Sequence, residues 1–441
     1  MEDFSSEDET DDILEIALGE MIKDPRFRES INNISKEEKK DSYIQKMGGR
    51  KRKRLEDLEE RLIKKCKQDK PLKYKILESD LNEDLKSQIL EKIRNYESLN
   101  PSSSEYQKMT KYMKGLEKIP FGKYSKLPVS NKSEKKKIQK FFENLKSDFS
   151  KCSYGQDKAK NTLLEIAAKW ITNPNSTGNV IGLCGPPGIG KTSLIKNGLS
   201  KSLNIPFSFL GLGGSTCSAY LQGHDFTYEG SKWGRLIEIL MESKSMNPII
   251  FFDELDKISD SKNGDEIVGI LTHLTDPTQN NTFSDKYFSG IDFDFSKCLF
   301  IFSFNDENKI NPVLKDRIKV IKLEGFKTDE KVEIAKRFSI KKICKNTGFK
   351  EKDIIFPNET LRFIAFTYCS EQGVRNLEKC IETIVMKINL YSITNDIKTL
   401  GLKDKGSLIS PYNITIRMAA SFLDPIFKRE DSSLSCRMMY S

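Results

Sequence analysis

One glycine-rich stretch constrains the fold of this 441-residue chain more than any other. It reads Gly185-Pro186-Pro187-Gly188-Ile189-Gly190-Lys191-Thr192 and fits the phosphate-loop spacing G-x-x-x-x-G-K-[S/T]. An apolar run at 180–184 precedes it as a buried strand, and helical periodicity starts at Ser193. This order of strand, loop and helix turns backbone N–H groups toward a phosphate at a helix N-terminus. The stretch predicts an α/β fold that binds a nucleoside triphosphate; the alternative, a chance glycine-rich turn, requires motif, strand and helix to coincide.

The loop residues have separate expected roles in holding ATP and Mg²⁺. Lys191 is expected to neutralise the β and γ phosphate oxygens, and Thr192 to ligate the metal ion. Ser193 completes the predicted site at the start of the helix. The expected cofactors are therefore ATP and Mg²⁺.

A second apolar run ends in two acids, Ile249-Ile250-Phe251-Phe252-Asp253-Glu254. It predicts a buried strand with both carboxylates at its carboxyl end, where α/β proteins bind ligands. Asp253 would hold Mg²⁺, directly or through water, and Glu254 would orient and deprotonate the attacking water. The alternative is a pair of acids that cap a helix.

Three further residues complete the predicted catalytic set. Asn305 follows the apolar strand 298–304 and is the candidate sensor of the γ-phosphate or lytic water. Arg317 could reach a neighbouring subunit as an arginine finger, and Arg375 could touch the γ-phosphate from a helical lid. Taken alone, an asparagine after a strand is more often a turn residue, and an arginine on a helix, such as Arg375, is usually a surface residue. Their order relative to the other motifs favours the functional interpretation.

Several stretches resemble the ATPase part of the Lon-type ATP-dependent proteases, which belong to the AAA+ superfamily. The resemblance covers about residues 77–427. Its specific parts are Gly185 to Ser193, Phe252-Asp253-Glu254-Leu255-Asp256-Lys257, Asp276-Pro277-Thr278-Gln279-Asn280-Asn281-Thr282-Phe283-Ser284-Asp285 and Gly373-Val374-Arg375-Asn376-Leu377-Glu378. It implies an AAA+ P-loop core with a C-terminal helical lid and an N-terminal helical linker.

The resemblance also implies a homo-oligomeric ring, expected to be a hexamer, that hydrolyses ATP and pulls polypeptide through a central pore. Tyr228 falls at the aromatic position of the family's substrate-gripping loop. Glu229 stands where the family has an aliphatic residue, and its carboxylate would oppose contact with an apolar peptide. A plain surface tyrosine is the alternative for Tyr228.

The sequence shows no Ser-Lys peptidase segment of the family type, and Lys405-Gly406-Ser407 is interpreted as a turn. We therefore expect a motor that remodels or unfolds protein without its own peptidase site, or one that feeds a protease on another chain. The basic run Arg50-Lys51-Arg52-Lys53-Arg54 gives an alternative, an ATP-regulated factor that contacts nucleic acid or carries a nuclear signal. A solvated charge run is the structural explanation of the same residues.

Composition and periodicity suggest how the chain is organised. We expect a charged, largely disordered segment at 1–75, a helical linker at 76–130, an α/β nucleotide-binding domain at 131–327, a helical lid at 328–428 and a tail at 429–441. A net charge of +9 on a chain with 31% charged residues indicates a solvated surface more than a polyanion groove. Residues 1–20 are acidic and without bases, and no apolar run has the length of a membrane span. The expected location is intracellular, cytoplasmic or nuclear, and neither secreted nor in a membrane.

Overall fold

A computed structural model describes residues 49–67, 71–79, 81–214, 217–228, 230–259, 261–394 and 410–427. The chain divides into two compact units, residues 1–75 and residues 76–441. Most of the predicted disordered segment, the tail at 429–441, Glu229 and Lys405-Gly406-Ser407 lie outside the described residues. Among the helices of the described part, none combines the length and apolar character needed to cross a membrane.

The first unit contains the basic run within helix α1, Gly49–Lys67. The run is exposed, and Arg52 Nε lies 2.8 Å from Glu56 Oε1 one turn further on. Consecutive residues on a helix are separated by about 100°, so the bases surround α1 and do not form a stripe. This geometry gives no specific support to nucleic-acid binding, which stays a prediction.

A helical hairpin opens the second unit, after the short helix α2, Leu72–Glu78. Its helices are α3, Glu83–Ser98, and α4, Ser104–Lys118. Asn82 and Ser103 cap them by accepting hydrogen bonds from backbone N–H groups in the first turn. The inward faces are apolar at helical spacing, with Ile89, Tyr112 and Leu116 buried.

The nucleotide-binding domain is built on a five-stranded parallel sheet in the order β2-β3-β6-β1-β7. The strands are β1 Asn179–Cys184, β2 Phe207–Gly211, β3 Ile249–Asp253, β6 Leu299–Phe304 and β7 Lys319–Lys322. The central strands β1, β3 and β6 are almost continuously apolar and buried, which suits a sheet that is covered on both faces. The register aligns Leu299 with both Asn179 and Ile249, so β1, β3 and β6 end at one edge.

Helices cover both faces of this sheet. They are α5 Lys135–Cys152, α6 Asp157–Thr172, α7 in three consecutive segments (Lys191–Ser193, Leu194–Ser200 and Lys201–Leu203), α8 Ala219–Gln222, α9 Arg235–Ser243, α10 Lys262–Thr275 and α11 Pro312–Lys315. Short 3₁₀ turns at Leu255–Lys257 and Glu307–Lys309 follow β3 and β6. An antiparallel pair, β4 Phe283–Ser284 and β5 Asp292–Phe293, precedes β6.

A helical lid follows the sheet. It contains α12 in three segments (Thr328–Ile334, Ala335–Ser339 and Ile340–Thr347), α13 Asn358–Tyr368, α14 Arg375–Thr394 and α15 Ile416–Phe427. Leu361, Ile381 and Phe422 belong to its own apolar core. A parallel pair, β8 Ile354–Ile355 and β9 Tyr412–Asn413, adds to the predicted helices. The predicted fold, a parallel α/β domain with a helical lid and an N-terminal helical part, is confirmed.

Candidate functional site

The phosphate loop connects β1 to α7 in a backbone conformation that depends on its glycines. Gly188 and Gly190 have φ values of +79° and +89°, a region that other residues rarely adopt. A Cβ atom on Gly185 would lie 2.6 Å from the carbonyl oxygen of Leu323. These constraints account for the glycines and leave a loop suited to a phosphate at the start of α7.

Lys191 places its ammonium group where β1 and β6 end. Its Nζ donates to the carbonyl oxygens of Gly185 at 2.7 Å and Phe304 at 3.0 Å, and to Asn305 Oδ1 at 3.0 Å. Burial lowers the pKa of Lys191, while the nearby carboxylates of Asp253 and Asp256 act in the opposite direction. The structure therefore brings together the predicted phosphate-binding lysine and the predicted sensor.

The two hydroxyl residues after Lys191 differ in their surroundings. Thr192 is half-buried in the first turn of α7. Ser193 Oγ donates to the carbonyl oxygen of Cys152 at 3.4 Å and accepts from Asn197 Nδ2 at 3.3 Å. The Ser193 hydroxyl is thus occupied by contacts with α5 and α7. If Ser193 contacts the phosphates, it does so through its backbone N–H group.

Asp253 and Glu254 lie at the carboxyl end of β3, as predicted. The backbone of Glu254 is left-handed, with φ of +59°, and its N–H donates to Asp253 Oδ1 at 3.1 Å. Such a conformation costs energy for a residue with a Cβ atom and occurs often at functional sites. The Glu254 carboxylate lies against Gly213, beyond the end of β2.

The backbone of Asn305 is hydrogen-bonded to Asp256, a residue for which the sequence predicted no role. Asp256 is 7% exposed, and its Oδ2 accepts from the backbone N–H groups of Asn305 and Asp306, each at 3.2 Å. The available signal was a third acid, two residues after Glu254 and between Leu255 and Lys257. The structure makes Asp256 part of the site.

Arg317 lies just after α11, and its contacts are of a different kind. Its Nη2 donates to Asp276 Oδ2 at 3.2 Å, and its Nη1 to the carbonyl oxygen of Val313 at 3.2 Å. Hydrogen bonds from the hydroxyl and amide of Thr278, and then the Arg317 guanidinium, lower the pKa of Asp276 to about 2. Neither partner of Arg317 belongs to the phosphate loop, so one chain does not bring this arginine to Lys191.

Arg375, by contrast, touches the phosphate loop. A Cβ atom on Gly188 would stand 3.1 Å from both N and Cβ of Arg375, and Val374 N donates to the carbonyl oxygen of Gly188 at 3.2 Å. A Cβ atom on Gly373 would lie 2.1 Å from the carbonyl oxygen of Pro187. The backbone of the lid segment Gly373-Val374-Arg375 therefore packs directly against the backbone of the phosphate loop.

The connection from sheet to lid is also fixed by contacts that sequence analysis missed. Phe326 N donates to the carbonyl oxygen of Gln372 at 2.8 Å, and Gln156 Nε2 to that of Glu324 at 2.9 Å. The guanidinium of Arg337 lies 5.6 Å from the centre of the Tyr154 ring. These contacts join the Tyr-Gly-Gln segment before α6 to the lid.

Tyr228 is 70% exposed, on a loop that packs against an aromatic cluster through Phe226. Phe226 packs edge-on against Tyr112 and Tyr287, with ring centres 5.3 Å and 5.5 Å apart. Buried Asp285 accepts from Gly234 N and Tyr287 N at 2.8 Å and 2.9 Å, and burial raises its pKa to about 6. The helical hairpin thus supports the loop that presents Tyr228.

The donors present fit a nucleotide and its metal ion better than a metal bound by protein alone. Within the described residues no group of three or more His, Cys, Asp and Glu side chains could hold a metal ion. Thr192 lies in the helix that follows β1, and Asp253 ends β3; these two strands flank β6. Mg²⁺ characteristically uses few protein ligands and completes its shell with phosphate and water.

Comparisons with known proteins agree with this geometry. Residues 181–325 match the AAA family, the ATPase family associated with various cellular activities. Residues 345–399 match the Lon protease AAA+ ATPase lid domain. Nucleotide binding follows from the first match, and the second falls on the lid.

Curated relatives match across the same region. A Lon protease homolog of Acanthamoeba polyphaga mimivirus is 41% identical over 255 residues, 58% of this chain and 25% of that protein. The Lon protease of Parabacteroides distasonis is 35% identical over 303 residues, 68% of this chain and 35% of that protein. The Lon protease of Acinetobacter baumannii is 33% identical over 331 residues, 75% of this chain and 39% of that protein. The chain thus spans between 25% and 39% of the length of these relatives.

Proposed function

We propose that this chain, a Lon-type AAA+ ATPase with the AAA domain and lid of that family, is an ATP-driven motor that remodels or unfolds protein. The observation that supports it most directly is the convergence of β1, β3, β6 and the lid on one phosphate loop. Lys191 reaches Asn305 at 3.0 Å, and the backbone of Arg375 touches Gly188. Such a set suits hydrolysis as well as binding.

In this proposal each residue has one task in ATP hydrolysis. Lys191 would exchange its carbonyl acceptors for phosphate oxygens, which are stronger partners because they carry charge. Glu254 would take the proton of the attacking water, and Asn305 would orient that water or the γ-phosphate. Thr192 and Asp253 would hold Mg²⁺, which neutralises charge on the phosphates when bound.

The position of Arg317 leads us to include oligomerisation in the proposal. Its contacts with Asp276 and Val313 hold it outside the phosphate loop of its own chain. An arginine finger supplied by a neighbouring copy would complete the site, as in other phosphoryl-transfer systems. A closed ring, with six subunits as the family resemblance implies, gives each subunit the same finger.

The proposed substrate is an unfolded polypeptide gripped by the loop of Tyr228. Exposure of a large aromatic side chain on a braced loop suits transient contact with an extended chain. Glu229 stays the predicted departure from the gripping pattern. The helical hairpin, the nucleotide-binding domain and the lid each have a role in the proposed motor, and we assign peptide-bond cleavage to none of them. A protease on another chain and an intracellular location, cytoplasmic or nuclear, belong to the same proposal.

The test is ATP-dependent unfolding of a fluorescent protein that carries an unstructured tail. We expect fluorescence to fall with the assembled wild-type chain and ATP, while the tagged protein stays uncut on a gel. Lys191→Ala is the matched control for nucleotide binding, and omission of the tail is the control for the substrate. Robust ATP turnover with no loss of fluorescence, with or without the tail, would contradict the motor.

A further inference from the structure

We propose that Asp256 is a positioning residue for ATP hydrolysis, which holds the sensor Asn305 in place against Lys191. The inference rests on the proposed ATPase function, and it gives a role to a residue that would not itself touch the nucleotide. Asp256 lies in the 3₁₀ turn Leu255–Lys257, two residues after the candidate base. It would thus connect the base and the sensor.

The geometry of the contact is specific. One carboxylate oxygen, Oδ2, accepts from two consecutive backbone N–H groups, those of Asn305 and Asp306, each at 3.2 Å. These are the first two residues after β6, so the carboxylate fixes the direction in which the chain leaves the strand. Asn305 can then present Oδ1 to Lys191 Nζ at 3.0 Å.

The energetics favour a functional explanation over a structural one. Asp256 is only 7% exposed, and its partners are neutral amides. Its Oδ1 is fully buried and has no hydrogen-bond partner among the described residues. The nearby cation, Lys191, attracts this carboxylate, but its ammonium donates its hydrogen bonds to Gly185, Phe304 and Asn305. Burial of a carboxylate with one oxygen unpaired is costly, and an asparagine could accept from the same amides with less desolvation. A charge at this position is better explained by the stronger hydrogen bonds that a carboxylate accepts from the N–H groups of Asn305 and Asp306.

Asp256 also lines a cavity. A cavity of about 580 Å³ is lined by Asp256, Asp265 and Asn308, and by residues of α11. Asp265 lines this cavity but is exposed, and it is not one of the partners of Asn305 or Asp306. It therefore offers a matched control, a carboxylate in the same cavity without the proposed contact.

The first measurement does not depend on catalysis. Hydrogen–deuterium exchange is followed in a peptide that contains Asn305 and Asp306, for the full chain and for Asp256→Asn. We expect exchange of these amides to accelerate by about tenfold, since a charge-assisted hydrogen bond becomes a neutral one. Asp265→Asn should exchange as wild type. Equal exchange in Asp256→Asn and wild type would overturn the proposal, even if the protein proved not to hydrolyse ATP.

The second measurement separates positioning from folding. We expect Asp256→Asn to lower kcat by about tenfold while its affinity for a fluorescent ATP analogue changes by less than about twofold. Because Asp256 acts through Asn305, adding Asp256→Asn to Asn305→Ala should cause no further loss. Multiplicative losses in the double variant would overturn the proposal. If Asp256→Asn does not fold, Asp256→Glu keeps the charge, displaces it by one methylene and is tested in the same way.

Discussion

The carboxylate of Glu254 lies so close to Gly213 that a Cβ atom on this glycine would stand 2.0 Å from Oε2. Glu254 follows β3 and Gly213 follows β2, and the two strands are neighbours in the sheet. The space that the glycine leaves therefore sets where the candidate base rests. Its left-handed backbone, with φ of +59°, sets the direction from which the side chain enters.

Gly213→Ala should displace the Glu254 carboxylate and leave the rest of the site intact. The side chain can move aside at little cost to stability, since its end is flexible, but the base then leaves its position. We expect kcat to fall about tenfold or more with nucleotide affinity unchanged, because misplaced catalytic groups lose rate steeply. Gly269→Ala is the control, as a Cβ atom there meets nothing within 4 Å. An unchanged kcat in Gly213→Ala would show that this resting position is not used.

Arg317→Ala should abolish turnover and spare nucleotide binding, because the finger is proposed to act on a neighbouring subunit. A sharper test of the neighbouring-subunit role is to mix two inactive variants in one ring. Lys191→Ala subunits retain the finger, and Arg317→Ala subunits retain the loop, so mixed rings contain complete sites at about a quarter of their interfaces. ATP turnover should reappear on mixing two inactive preparations. Persistent inactivity in rings shown to be mixed would place Arg317 outside the neighbouring site.

Gly373→Ala should separate the lid from the phosphate loop. The new Cβ atom would lie 2.1 Å from a backbone oxygen of Pro187, which cannot move aside like a side-chain end. We expect weaker ATP binding, measured by titration with a fluorescent analogue, with the lid still folded by circular dichroism. Gly269→Ala should bind normally. Wild-type affinity in Gly373→Ala would mean that the observed lid contact does not contribute to binding.

Asp285 predicts a specific pH dependence of stability. Its folded-state pKa is raised from 3.8 to about 6 by burial, so its stabilising contribution is complete below its unfolded pKa and is lost as the pH rises through about 6. Between pH 4 and pH 7 this shift corresponds to a loss of about 2 kcal/mol, because the unfolded carboxyl is already partly ionised at pH 4. Asp285→Asn cannot titrate, so its stability relative to wild type should improve over this interval in urea unfolding curves.

The control for this prediction is Asp292→Asn, which removes an exposed carboxylate from β5. Its stability should run parallel to that of wild type at every pH. Parallel curves for Asp285→Asn as well would contradict a raised pKa at Asp285.

The sequence predicted those parts of the site that lie at or beyond the carboxyl ends of strands. Lys191, Asp253 and Asn305 come together because β1, β3 and β6 are parallel neighbours, and apolar runs ending in polar residues predict such an edge. The order of the strands and their register required the structure. Arg375 was predicted only through the order of motifs, and its contact with Gly188 depends on how the lid packs.

Other parts could not be predicted because they depend on contacts between distant segments. Nothing near Gly213 in the sequence indicates the carboxylate beside it, and Asp256 looks like one more surface acid in a charged chain. The aromatic cluster of Tyr112, Phe226 and Tyr287 joins three segments whose helical or strand patterns contain no information about each other. Packing of that kind selects residues by shape and is not visible in periodicity.

The most direct test of the proposed motor is ATP turnover by wild type and Glu254→Gln, each with and without unfolded casein. The amide has the size of the carboxylate but cannot accept a proton as a base, so Glu254→Gln should bind ATP and fail to hydrolyse it. We predict wild-type turnover that rises with casein, and none above background in the variant. Turnover in Glu254→Gln equal to wild type would contradict the assigned mechanism, and no turnover by assembled wild type would contradict the motor itself.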